Sequence, residues 1–116
     1  MFVKILKSKL HRARVTDAKL HYAGSIAIDS VLMEAAGILP YESVLVADVM
    51  NGNRLETYAV SAEAGSGEIV ILGAAAQLVQ PKDIVIVLGF GYLMPDEARD
   101  FTPKVVVLDE NNRIIK

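Results

Sequence analysis

Short apolar runs broken by polar turns dominate this chain, and their lengths are those of strands. Residues 44–49, 69–72, 84–88 and 105–108 are rich in valine, isoleucine and leucine. Runs this short and this β-branched predict buried strands rather than helices. Between 44–49 and 54–60 lies Met50-Asn51-Gly52-Asn53. Asn-Gly tolerates the positive φ angles of a type I′ turn, so the two flanking segments are expected to pair as a hairpin.

Helical signals are fewer. Asp29 or Ser30 can cap a short helix through Val31, Leu32, Ala35 and Ala36, with Gly37 to stop it and Pro40 just beyond. Gly73-Ala74-Ala75-Ala76-Gln77 reads as one further helical turn. Pro95-Asp96-Glu97-Ala98-Arg99 carries a proline and acids suited to a helix's first turn. Many short strands, few short helices and frequent glycine turns predict a mainly β fold that closes as a barrel.

Size and composition narrow the picture. A chain of 116 residues reads as a single domain, 1–116. The apolar fraction, 53%, is more than a monomer this small hides, which points to subunit interfaces. A net charge of −2 exerts no global pull toward nucleic acid or anionic lipid, so neither is expected as a partner. There is no cysteine, which excludes disulfides, thiolate nucleophiles and cysteine metal sites. Residues 1–10 hold Lys4, Lys7 and Lys9 without an uninterrupted apolar stretch, unlike a signal peptide. The longest apolar run, 84–90, is far short of the ~20 residues that span a bilayer. A soluble, cytoplasmic protein is expected.

Alternation along strands groups the candidate chemistry. Lys9 and His11 share one face of an N-terminal strand, and Arg54 and Tyr58 share a face of the hairpin's second strand. If those faces meet, two cations, an imidazole and a phenol surround a site suited to a small carboxylate substrate. The plainer reading makes Lys9 and Arg54 ordinary solvated residues. Two Gly-Ser pairs occur. Gly65-Ser66-Gly67 reads as a flexible loop, whereas Gly24-Ser25 sits between His21-Tyr22 and the apolar Ile26-Ala27-Ile28. Glycine at 24 can take a strained backbone, and strain in a peptide bond is a resource for chemistry. No nucleophile elbow surrounds Ser25, so a hydrolytic triad with His11 and Asp29 is disfavoured. His11 and His21 have no third ligand at metal-binding spacing, so no metal site is expected. Lys4, Lys7, Lys9, Arg12 and Arg14 could touch phosphates but come without an aromatic stacking platform.

The motifs in order resemble one family. Lys9-Leu10-His11-Arg12, Val15-Thr16, Leu20-His21-Tyr22 and Gly24-Ser25 are similar to the N-terminal signature of bacterial, pyruvoyl-dependent aspartate 1-decarboxylases. The likeness continues through Ile28-Asp29, Ala35-Ala36-Gly37-Ile38, Asn51-Gly52 with Arg54, and Thr57-Tyr58-Ala59. Gly73-Ala74-Ala75-Ala76, Asp83-Ile84-Val85-Ile86 and Pro95-Asp96-Glu97-Ala98-Arg99 carry it almost to the C-terminus.

That resemblance implies a six-stranded double-psi β-barrel with a few short helices, assembled as a homotetramer with active sites between subunits. It implies self-cleavage between Gly24 and Ser25 into fragments 1–24 and 25–116, leaving on residue 25 a covalently bound pyruvoyl group as cofactor. The ketone would form a Schiff base with L-aspartate and release β-alanine for pantothenate and coenzyme A synthesis. Carried over residue by residue, Lys9 and Arg54 hold the substrate carboxylates and Tyr58 donates a proton. Thr57 serves self-cleavage and contacts substrate. His11 and Tyr22 line the pocket, and Gly73, Ala74 and Ala75 contact substrate. Alternation puts Thr57 on the face opposite Arg54 and Tyr58, so one shared site requires a bulge or a second approach. One position departs from the family pattern: Leu72 stands where many members have asparagine, removing an amide donor. The alternative to the enzyme is a non-enzymatic double-psi barrel that keeps these residues for packing.

Overall fold

The computed structural model describes residues 1–116. The strands are β1 (Val3–Arg14), β2 (Asp17–Lys19), β3 (Ser25–Asp29), β4 (Ser43–Asp48), β5 (Arg54–Ala62), β6 (Ile69–Leu72), β7 (Ile84–Leu93) and β8 (Lys104–Val107). Helix α1 is Ser30–Ala36, α2 is Pro95–Arg99, and Gly73–Gln77 forms a 3₁₀ turn. The mainly β expectation holds. All eight strand segments join one sheet in the order β2-β6-β3-β5-β4-β7-β1-β8. Only Val15 and Thr16 separate β1 from β2, yet these strands lie near opposite ends of that order. The sheet must therefore curl round, an arrangement compatible with the double-psi barrel. The segments number eight where six strands are expected, the two outermost having three and four residues.

Alternation explains the core. In β4, Val44 and Val46 are buried while Leu45 and Ala47 are half-buried, and β7 repeats this with Val85 and Val87 inward. Ile26, Ile28, Ile69, Ile71 and Leu10 complete the same interior. Each such side chain contributes about 1.5–3 kcal/mol by leaving water. Only 27 of 116 residues are buried, so much of the apolar half of the chain remains outside. No helix is long and apolar enough to cross a membrane.

Helix α1 follows the sequence reading closely. The Asp29 carboxylate accepts from Val31 N–H at its start, and Gly37, at φ 73°, closes it. Other expectations need correction. The turn after β4 is not type I′, because Gly52 alone takes positive φ and Asn51 does not. Its loop is held by Gly52 N–H on the Asp48 carbonyl and by the Asp48 and Asn51 side chains accepting from Met50 and Asn53 N–H. Strand β7 runs on past Leu88 to Leu93, since β1 continues beside it to the Val3–Leu93 pair. The 65–67 loop is pinned rather than flexible. Gly65 and Gly67 donate to the two Asp29 oxygens, and the buried Asn112 amide donates to Gly67. Those two glycines, not Gly24, carry the positive φ angles among the Gly-Ser segments. The expected backbone strain at Gly24 is absent from φ.

Candidate active site

Ser25 opens β3, and the sheet fixes what surrounds it. On one side β6 runs antiparallel, with Leu72 directly opposite Ser25. On the other side β5 runs parallel, with Ala59 opposite Ile26. Tyr58 precedes Ala59 just as Ser25 precedes Ile26, so the two stand side by side where the strands begin. Neighbours across strands share a face. Leu72, Ser25 and Tyr58 therefore form one row on the outer face. Ser25 is 5% exposed, whereas the Tyr58 ring, tilted against Tyr41 at 6.3 Å, is open to solvent.

Thr57 points the other way, with Leu55 and Ala59. A shallow pocket of about 300 Å³ lies there, lined by Gly24, Leu55, Glu56, Thr57, Ala74, Ala75 and Leu78. The question left by alternation thus has a geometric answer: Thr57 reaches the Gly24 side of the bond, and Tyr58 stands beside Ser25. A second hollow includes Tyr22, Ala27, Val70 and Leu72. Gly24 lines the first of these hollows, and Leu72, the strand partner of Ser25, lines the second. In this row Leu72 presents methyl groups to Ser25, where an asparagine would present an amide.

The aspartate decarboxylase family pattern matches residues 1–115. An aspartate 1-decarboxylase of Acetivibrio thermocellus is 54% identical over 99% of this chain and 91% of its own length. Those of Caldicellulosiruptor saccharolyticus and Salinibacter ruber are each 52% identical over 100% of this chain, covering 91% and 80% of their own lengths. The chain belongs to the aspartate decarboxylase family.

Against that family's motif set, the structure gathers some residues and separates others. Gly24, Thr57, Ala74 and Ala75 share one pocket, with Tyr58 and Ser25 adjacent on the sheet. Gly73 touches the Gly24 segment. Lys9, His11 and Arg54 do not join them within one chain. Lys9 lies in a row with Leu88, Leu45 and Glu56, three strand spacings from β5, or roughly 14 Å. Arg54 precedes Tyr58 by four residues, about 13 Å along the strand. The faces carrying Lys9 with His11 and Arg54 with Tyr58 are therefore one outer face, with half-buried Leu45, Ala47, Ile86 and Leu88 as an apolar floor between them.

His11 sits at a bulge of β1, where the register shifts between Leu10 and Ala13 and Arg12 takes φ 66°. Its Nδ1 is buried without a partner. Burial, then the Lys9 and Arg12 charges, lower its pKa below the ordinary imidazole value and favour the neutral ring.

Sequence reading does not single out Leu55 or Leu78 of the pocket, nor the Asp48–Asp83 pair behind it. Asp48 is 2% exposed, and its Oδ2 has no hydrogen-bond partner. Burial, with Asp83 beside it, raises its pKa to about 6. Asn51 and Asn53 amides donate to the Leu78 carbonyl, tying the turn that carries Asp48 to the pocket wall. A buried acid at the end of an otherwise apolar strand is the signal that could have flagged it.

Proposed function

We propose that this chain is a self-processing aspartate 1-decarboxylase that converts L-aspartate to β-alanine and CO₂ for pantothenate and coenzyme A synthesis in the cytoplasm. The row Leu72–Ser25–Tyr58, with Gly24 opening on the Thr57 pocket, carries the reading. Family membership says what reaction to look for, and this row supports assigning it to these residues.

The first reaction is on the chain itself. Ser25 Oγ adds to the Gly24 carbonyl carbon, the C–N bond to residue 25 breaks, and the hydroxyl proton ends on the freed nitrogen, leaving an ester. Loss of the Ser25 α-proton expels the Gly24 carboxylate from Cβ and leaves a dehydroalanine. Water then replaces its nitrogen, releasing ammonia and leaving a pyruvoyl ketone at the start of fragment 25–116. Thr57, which lines the same pocket as Gly24, would hydrogen-bond the changing carbonyl. The residues fit a group built here: position 25 is buried, flanked by a phenol, and opens through Gly24 to a pocket sized for a small acid.

Once formed, the ketone supplies an anchor for the substrate amine and a sink for the electrons left as the carboxylate departs. The chain's own side chains do the rest. Tyr58 donates a proton to the carbon that has lost CO₂. Tyr22 and the backbone of Gly73, Ala74 and Ala75 wall the substrate. Lys9 and Arg54 bind its carboxylates, and neutral His11 lines the pocket beside Lys9. Because Lys9 and Arg54 stand apart in one chain, a second copy presenting its outer face completes the site. That fits the homotetramer, with the apolar floor of Leu45, Ala47, Ile86 and Leu88 as contact surface. Fragment 1–24 stays in place after cleavage, since β1 lies between β7 and β8 and Asn112 both donates to and accepts from the Arg14 backbone.

Intact-mass measurement tests this reading. Purified, aged protein is expected as two fragments split after Gly24, the larger lacking a free N-terminal amine, with aspartate consumed to β-alanine. A folded, whole chain with an unaltered serine at 25 points instead to a non-enzymatic barrel.

A further inference from the structure

Resting on the self-cleavage proposed above, we infer that Gly73 is a positioning residue for that step: its bare α-carbon is the seat that holds Gly24 against the attacking Ser25. Leu72 is extended, at φ −117° and ψ 135°, and pairs with Ser25. At Gly73 the chain flips to φ +85° and leaves the sheet as the 3₁₀ turn. That flip presses residue 73 onto the segment before the bond to be cut. A Cβ at 73 would lie 2.7 Å from Gly24 Cα, 2.8 Å from the Tyr22 carbonyl oxygen and 2.9 Å from Gly24 N. All three are backbone atoms, and all are closer than the 3.0 Å that real Cβ atoms essentially never breach.

The two ends of the reacting unit are thus held by consecutive residues of one segment. Leu72 fixes Ser25 through strand pairing, and Gly73 fixes Gly24 by direct contact. An attack within a single dipeptide depends on where the carbonyl carbon stands relative to Oγ, and an error of about 1 Å costs on the order of a hundredfold in rate. A methyl at 73 must move Gly24 by a good part of that distance, because there is no flexible side chain to yield. Gly24 itself shows the opposite: it takes no positive φ, and a Cβ built there meets nothing within 4 Å. The glycine on which cleavage geometry depends is the one 49 positions from the cut (73 less 24).

The test compares Gly73→Ala with Gly52→Ala, which has φ 77° but no atom within 4 Å of its Cβ and so carries only the backbone penalty. Both chains are checked for folding by circular dichroism and followed by intact mass, with and without hydroxylamine, which captures the ester as a hydroxamate on fragment 1–24. Gly52→Ala is expected to cleave as wild type. Folded Gly73→Ala is expected to stay whole at least about a hundredfold longer and to yield no hydroxamate, because the acyl shift itself is lost. Cleavage of Gly73→Ala near the wild-type rate, or equal slowing of Gly52→Ala, overturns the seat. If Gly73→Ala does not fold, D-alanine placed at 73 by chemical synthesis suits the positive φ and moves the methyl off the Gly24 side. That chain is expected to cleave; a folded D-alanine chain that stays whole overturns the inference. An uncut wild type instead defeats the self-cleavage reading beneath it.

Discussion

Two Gly-Ser pairs lie about 40 residues apart (65 less 24), and the fold treats them in opposite ways. Around Ser66 the backbone is unusual and the bonding complete. Gly65 and Gly67 take positive φ, Asp29 accepts from both, and the Ser66 hydroxyl accepts only from Glu68 N–H in open solvent. At Ser25 the surroundings reverse. Gly24 has no positive φ, the serine is buried, and a phenol, a threonine pocket and the bare Gly73 α-carbon surround the bond. Left-handed backbone marks the structural pair. The proposed chemistry goes with the buried hydroxyl, which has a phenol and a threonine pocket near it.

The largest effect that could break this contrast comes from deleting each hydroxyl. Ser25→Ala is expected to leave one folded chain with no measurable β-alanine production. Ser66→Ala is expected to cleave and turn over as wild type. Intact mass and a β-alanine assay on the two variants read both outcomes. Fragments from Ser25→Ala imply a contaminating protease, and loss of cleavage in Ser66→Ala erases the distinction. Next in size is Tyr58→Phe. Its ring packs unchanged, so cleavage should proceed, while turnover falls by roughly a hundredfold or more with the proton donor gone. Normal kcat in a fully cleaved Tyr58→Phe enzyme removes Tyr58 from that role.

Much of the frame was legible in the sequence, because local chemistry set it. β-Branched runs marked β4, β6, β7 and β8, and Asp29 with Gly37 bounded α1. What sequence could not show depends on which strands adjoin. Ser25–Asp29 is too short, and too polar at its ends, to read as a strand, yet its neighbours β5 and β6 make it one. Lys9 with His11 and Arg54 with Tyr58 were rightly paired by alternation. Whether those pairs meet is set by two intervening strands, about which alternation is silent. The Gly73 contact is tertiary, and its motif looks like an ordinary helix start.

The structural pair should be the more sensitive to its anchor. Asp29 is 1% exposed, and burial alone would raise its pKa. Hydrogen bonds from Gly67, Gly65 and Val31, with the Arg113 charge, outweigh that and hold it below the ordinary value of 3.8. A depressed carboxylate contributes stability above its unfolded pKa and loses it as pH falls through the folded one. Asp29→Asn, which replaces a charged acceptor of three N–H groups, is expected to cost ~3 kcal/mol in denaturant unfolding. In material that still folds, Gly24–Ser25 cleavage should continue. A neutral effect on stability would mean the loop does not depend on that carboxylate.

On the Ser25 side the buried acid works with the opposite sign. Asp48 lies at the turn whose Asn51 and Asn53 amides grip Leu78 of the pocket wall, and its pKa rises from 3.8 to about 6. The folded protein therefore binds this proton more tightly than the unfolded chain. Stability contributed by the protonated pair is fully present below pH 3.8 and declines as pH rises to about 6. The whole change is on the order of 2–3 kcal/mol. Asp48→Asn removes the charge that Asp83 repels, so its unfolding midpoint should vary less across that window and lie higher at neutral pH. Asp29 is already ionised throughout the upper part of the window and should contribute little slope there. If wild type and Asp48→Asn give parallel stability curves between about pH 4 and pH 7, the Asp48–Asp83 proton does not hold the pocket's turn.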